Sequence, residues 1–132
     1  MKVLITGGAG YLGSLMSSYL IEAGMRVIVY DKLIYGGEGL LSLLTHPGFE
    51  LVIGDIRDVI TLKGAVKKAD TIVHLAALVG EEACQVDPKA TLAINTEATK
   101  KLVKMAIESG VKRIFFSSTC SNYGLLNANT VA

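Results

Sequence analysis

Cysteine is scarce in this chain. Cys84 and Cys120 are the whole supply among 132 residues, too few for a disulfide scaffold and at no metal-ligand spacing. They read as small, reduced core residues of a cytoplasmic protein. Proline is equally rare, with only Pro47 and Pro88, which excludes a proline-rich linker. An excess of one charge is also missing: 13 Lys and Arg against 12 Asp and Glu leave a formal +1. No basic block exceeds the pairs Lys67-Lys68, Lys100-Lys101 and Lys112-Arg113. Neither nucleic acid nor an anionic membrane surface is therefore expected as a partner. Long apolar runs are missing too. The segment from Val3 to Ile21 carries no charge, but Thr6, Gly7, Gly8, Gly10, Gly13, Ser14, Ser17 and Ser18 interrupt it. A bilayer span needs about 20 mostly apolar residues, and a signal peptide needs an unbroken apolar stretch. What is present is apolar mass, 51 % of the residues, enough to exclude disorder and to build one domain over residues 1–132.

Short β-branched runs alternate with longer helical ones. Lys2 to Thr6 reads as a strand that is apolar on both faces, as buried parallel strands are. After a glycine cluster, Leu12, Leu15, Met16, Tyr19 and Leu20 fall at helical spacing within Tyr11 to Ala23, and Gly24 stands where a helix ends. Arg26 to Tyr30 is a second strand ending at Asp31. A glycine-rich connection and a short helical stretch near Leu40 to Leu44 follow, then a turn at His46-Pro47-Gly48. Phe49 to Ile53, Thr71 to Leu75 and Arg113 to Ser117 are the remaining strands. Asp58 caps a helix through Ile60, Leu62, Ala65 and Val66, and Asp87-Pro88 opens a long helix to about Ser109. Such alternation predicts an α/β fold, a doubly wound parallel sheet of five strands in the order 3-2-1-4-5.

Gly8-Ala9-Gly10-Tyr11-Leu12-Gly13 matches G-x-G-x-x-G and lies between an apolar strand and a helix, the context in which that pattern binds a dinucleotide. Gly7 and Gly10 permit the tight turn and a close approach to a pyrophosphate, and Gly13 lets helix and sheet pack together. The helix opening at Tyr11 and Leu12 offers N–H groups and a partial positive charge to the phosphates. Asp31 ends the second strand 18 residues after Gly13, near the spacing of a carboxylate that holds both ribose hydroxyls and repels a 2′-phosphate. That favours NAD over NADP, although Lys32 beside it could offset a phosphate. Gly54-Asp55-Ile56-Arg57-Asp58 repeats the arrangement after strand three. There Asp55 is expected at the adenine edge, with Ile56 on its face. His74 reads as a satisfied strand-end histidine, and Glu81 and Glu82 as solvated loop charges.

These segments, with His74-Leu75-Ala76-Ala77, Asn95 and Ser117-Ser118-Thr119-Cys120-Ser121-Asn122-Tyr123-Gly124, occur in an order that resembles the N-terminal part of an extended short-chain dehydrogenase/reductase with a Rossmann fold. Within it, the chain is most similar to the NAD-dependent nucleotide-sugar epimerase/dehydratase branch. The resemblance implies NAD as cofactor, a nucleotide-sugar substrate and hydride transfer at a sugar carbon through a keto intermediate. It implies that the backbone at Leu75, Ala76 and Ala77 lines the ribose and nicotinamide, that Asn95 steadies the region around strands four and five, and that Ser117 approaches the nicotinamide. Thr119 corresponds to the hydroxyl that bonds the reacting sugar oxygen, and Tyr123 to a structural tyrosine.

The family's Tyr-x-x-x-Lys acid/base motif lies further along than Thr119, whereas this sequence runs 13 residues past it and its last lysine is Lys112. The chain therefore reads as incomplete, ending before a sixth strand and a C-terminal substrate domain, and as inactive alone. A non-catalytic dinucleotide-sensing module is the alternative. The resemblance also implies a homodimer or other homo-oligomer, and an apolar fifth strand bearing Ile114, Phe115 and Phe116 would favour association.

Overall fold

A computed structural model describes residues 1–118. Its centre is a five-stranded parallel sheet in the order β3-β2-β1-β4-β5, as the alternation predicts. The strands are β1 (Lys2–Thr6), β2 (Arg26–Asp31), β3 (Phe49–Ile53), β4 (Thr71–His74) and β5 (Arg113–Phe116). Residues alternate between two faces, and on the three central strands β2, β1 and β4 both faces are buried. Val3, Ile5, Val27, Val29 and Val73 pack on one side with Ile21, Leu40 and Leu43. Leu4, Ile28, Tyr30 and Ile72 pack on the other with Leu62, Val66, Leu102 and Met105. The near-continuous apolar strands in the sequence are the direct signature of this double coverage.

The helix α1 (Tyr11–Glu22) supplies Ile21 to the first face. On the second face lie α2 (Val59–Val66) and α5 (Thr99–Glu108). Asp58 caps α2 as expected, accepting from the N–H of Ile60 at 3.0 Å and of Thr61 at 3.3 Å. Glu38–Leu43 form a 3₁₀ helix where a short helical stretch is expected.

Two features depart from the sequence reading. Residues expected as a loop form α3 (Glu81–Val86), too short to show an apolar period. The long helix after Asp87 is not uniform: α4 (Pro88–Thr91) passes into a π-helical stretch, Leu92–Ala98, before α5. Such wide turns leave no mark in hydrophobic periodicity and often lie at functional positions.

Register sets the site. Thr6 lies level with Tyr30 on one side and with His74 on the other. The next residues along, Gly7, Asp31 and Leu75, therefore emerge together at the carboxyl end of the sheet. From β3 at one edge the chain crosses back past β2 and β1 to lay β4 on the other side of β1, so the crevice between β1 and β4 is the topological switch point, where ligands of such sheets bind. Among the described residues no helix is long and apolar enough to cross a membrane.

Candidate functional site

The turn after β1 is built from glycines for steric reasons that can be read atom by atom. Gly7 has φ +73°, a left-handed conformation, and a Cβ there would lie 2.6 Å from the Ala76 nitrogen. Its N–H donates to the Tyr30 carbonyl at 2.9 Å, tying the turn to β2. A Cβ on Gly13 would meet the Gly8 Cα at 2.5 Å and the Gly7 carbonyl oxygen at 2.7 Å. The first turn of α1 thus rests against the glycine loop itself. Gly10 precedes the helix with no side-chain cap, so the N-terminal N–H groups that a helix cannot satisfy internally remain for a ligand.

Asp31 closes the opposite side of this cradle. One carboxylate oxygen accepts from the Ala9 N–H at 3.0 Å and the other from the Leu33 N–H at 2.7 Å. The first bond joins the carboxylate to the glycine loop. The second supports Leu33, whose φ of +58° is rare for a residue with a side chain. Both oxygens keep a second lone pair for a ligand.

A cavity of about 410 Å³ opens between these parts, within the size range of small-molecule sites. Gly7, Gly10, Tyr11, Leu12, Gly13, Asp31, Lys32, Asp55, Ile56, Leu75, Ala76 and Ala77, all expected at a dinucleotide site, line it. The glycine cradle, the uncapped helix start and the carboxylate opposite fit a dinucleotide with its pyrophosphate at α1. Ile34, Tyr35 and Gly36 after β2, and Leu78 and Val79 after β4, line it as well. The sequence marks the former only by Gly36-Gly37, and it marks the latter by nothing.

At the end of β3, Asp55 is engaged by cations. Its Oδ1 accepts from the Arg57 N–H and Nε, each at 2.9 Å. Its Oδ2 accepts from the Arg57 Nη2 at 2.6 Å and faces the Lys32 Nζ at 3.1 Å. A carboxylate has about four acceptor positions, and all of them are in use. The Arg57 guanidinium, foremost among these partners, holds the Asp55 carboxyl well below the usual carboxylate range. The Asp55 carbonyl accepts from the Tyr30 hydroxyl at 2.8 Å. Burial, then the charges of Asp58 and Asp55, push that phenol up to about 12, so Tyr30 is a strut and not a proton carrier.

A second cavity of about 630 Å³ shares the 75–79 loop as a wall and extends toward β5. Asn95 and Ser117 line this one, together with His74 and Thr99. Asn95, inside the π-helical stretch, grips the Leu78 backbone twice: its Oδ1 accepts from the N–H and its Nδ2 donates to the carbonyl, both at 2.8 Å. Thr119 lies outside the described residues.

His74 is buried, with Nδ1 2.6 Å from the Thr6 hydroxyl and Nε2 2.8 Å from the Thr99 hydroxyl. The Thr99 proton is given to the Asn95 carbonyl at 2.9 Å. Nε2 must then donate to Thr99, and Nδ1 accepts from Thr6. This is the satisfied histidine the sequence suggests. Burial lowers its pKa from the ordinary 6.5, because the neutral ring is the form that fits. The unfolded chain takes up the extra proton first. The stability linked to His74 is complete above pH 6.5 and is lost as pH falls through the lower folded value. Urea midpoints of the protein are expected to drop between about pH 7 and 5 more steeply than those of His74→Gln. Parallel pH profiles for the two would disprove the assignment.

Residues 3–130 match the model of the NAD dependent epimerase/dehydratase family. The UDP-glucose 4-epimerase of Halalkalibacterium halodurans is 41 % identical over 128 residues, covering 94 % of this chain and 36 % of that protein. The dTDP-glucose 4,6-dehydratase of an Actinoplanes species is 33 % identical over 141 residues, covering 100 % of this chain and 44 % of that protein. The crystal structure of Thermus thermophilus UDP-glucose 4-epimerase in complex with NAD superposes with a TM-score of 0.89 at 28 % identity, over 100 % of this chain and 42 % of that one. The chain thus spans 36 to 44 % of the length of these relatives.

Proposed function

The chain belongs to the NAD dependent epimerase/dehydratase family, and from that premise we propose that it forms the NAD-binding domain of a nucleotide-sugar epimerase or dehydratase. The carrying observation is the cavity at the switch point, with the glycine turn of Gly7 on one side and the anchored Asp31 carboxylate on the other. Gly7, Gly10 and Gly13 keep the cradle open to a pyrophosphate, and the N–H groups of Tyr11 and Leu12 supply donors to it. Asp31 takes the adenosine ribose hydroxyls, with Lys32 at the rim. Asp55 and Ile56 form the adenine wall, Ile56 from the core side and Asp55 through the cations it gathers. Leu75, Ala76 and Ala77 line the nicotinamide half.

When bound, the dinucleotide supplies a reversible hydride acceptor for a sugar carbon, through a keto intermediate. Asn95 positions the 75–79 loop for that half of the site, Ser117 borders the nicotinamide, and the Thr119 hydroxyl bonds the reacting sugar oxygen. None of the five tyrosines has a lysine four positions later, so residues 1–132 are expected to hold cofactor without turning over a sugar nucleotide.

Calorimetric titration of the chain with NAD and with NADP tests this reading. Saturable NAD binding with weaker NADP binding is the expected result. No heat of binding with NAD at millimolar concentration would overturn it.

A homodimer or other homo-oligomer is part of the same proposal. Among the described residues β5 has a neighbour on one side only, and Phe115 and Phe116 are 57 % and 60 % exposed. An apolar edge of that kind pairs with other chains. Sedimentation at roughly tens of micromolar is expected to show association that Phe115→Lys weakens. A clean monomer for the unaltered chain would count against it.

A further inference from the structure

We propose that Asp55 helps to discriminate NAD from NADP at one remove, by holding the Lys32 ammonium away from the ribose 2′ position that Asp31 guards. The inference rests on the NAD-binding reading above and assigns Asp55 a positioning role within it.

Lys32 directly follows Asp31, and both line the same cavity. An unattached lysine there would be a mobile point charge of the kind that binds a phosphate. It would also pair readily with Asp31 and cancel the repulsion by which that carboxylate excludes a 2′-phosphate. The sequence order Asp31-Lys32 by itself therefore gives an ambiguous selectivity.

The structure removes the ambiguity. The Lys32 Nζ lies 3.1 Å from the Asp55 Oδ2, across the strand boundary from β2 to the end of β3. Asp55 is a fixed anchor. Three bonds from Arg57 orient its carboxylate. Its carbonyl accepts from the Tyr30 hydroxyl and from the Asp58 N–H, each at 2.8 Å. Lys32 is the partner whose release costs least, since its side chain is long and half exposed while Arg57 folds back on Asp55 over two residues. Asp31 takes no part in this cluster, because the Ala9 and Leu33 N–H groups hold its two oxygens. The result is two carboxylates with separate tasks: Asp55 absorbs the nearby cation, and Asp31 keeps its charge facing the ribose.

Removing the Asp55 charge frees Lys32 to meet the 2′-phosphate or to neutralise Asp31. Both outcomes favour NADP.

The test is calorimetric titration of NAD and NADP into the chain and into Asp55→Asn, Lys32→Met and the double variant. Asp55→Asn is expected to shift the ratio of NADP to NAD affinity toward NADP by about fivefold, the modest size reflecting a screened charge. Adding Lys32→Met should return the ratio to its starting value. Lys32→Met alone should move the ratio by clearly less than Asp55→Asn does, because the ammonium is already taken. An unchanged ratio in Asp55→Asn, or a shift that survives in the double variant, overturns the proposal. So does a fall in relative NADP affinity in Lys32→Met alone as large as the rise expected for Asp55→Asn, a result independent of whether Asp55→Asn folds. Failure of the unaltered chain to bind NAD overturns the cofactor reading and this inference with it, whereas NAD binding with an unmoved ratio overturns this inference only.

Discussion

Gly7→Ala is expected to cost about 3 kcal/mol of folding stability and to abolish NAD binding. Two separate penalties add at this position. The φ of +73° is a left-handed conformation, worth about 1–2 kcal/mol against any residue with a Cβ. The new methyl would also stand 2.6 Å from the Ala76 nitrogen and 2.8 Å from the Leu75 carbonyl carbon, both backbone atoms that no rotamer change can move. Forcing them apart adds overpacking of about 1–3 kcal/mol. Gly24 isolates the first penalty from the second. Its φ is +77°, but nothing lies within 4 Å of a Cβ built there. Gly24→Ala should therefore cost only about 1–2 kcal/mol and leave cofactor binding intact. Urea unfolding of the two variants, with NAD titration of each, makes the comparison. Equal losses of stability, or full NAD binding by Gly7→Ala, would show that β1 and β4 do not close on the turn as described.

Asp31→Ala is expected to weaken NAD by about 2–3 kcal/mol, roughly the worth of charge-assisted bonds to two hydroxyls, while NADP loses little. The gap between the two cofactors should narrow accordingly. Part of the loss is structural, since the Ala9 and Leu33 N–H groups lose their acceptor. Asp31→Asn separates these contributions. It keeps an amide oxygen as acceptor and removes the charge that repels a 2′-phosphate. The asparagine variant should therefore retain more NAD affinity than alanine and close the selectivity gap about as far. An NAD to NADP ratio unmoved in both variants would mean that Asp31 does not face the ribose.

Several features of the site were legible in the linear sequence because their causes are local. The turn after β1 needs glycine where a Cβ would strike backbone, and Gly7 and Gly13 meet that need at fixed spacing. Asp31 and Asp55 stand at strand ends, and parallel strands of matched length bring their ends level without further instruction. Asp58 caps α2 through groups two and three residues away. Other features were not legible, because the interacting groups are far apart in the chain. The partners of His74 are 68 and 25 residues away, so its tautomer depends on three elements meeting. Neither α3 nor the π-helical turn carrying Asn95 follows from hydrophobic period, and the grip of Asn95 on Leu78 spans 17 residues.

Apolar patterning, glycine placement and family motifs, all carried by the sequence alone, determined the parallel sheet, its strand order and the place of the crevice. Burial of both faces of the central strands leaves few other ways to arrange them. Tertiary structure alone decided how the charges at the crevice are apportioned. Lys32 adjoins Asp31 in the chain but is ion-paired to Asp55, which saturates its carboxylate on Arg57 and Lys32 and leaves Asp31 to the backbone. Chain neighbours on a strand point to opposite faces, whereas residues at the ends of adjacent strands lie a few ångströms apart. Electrostatic partnership follows that spatial distance and not the order of residues.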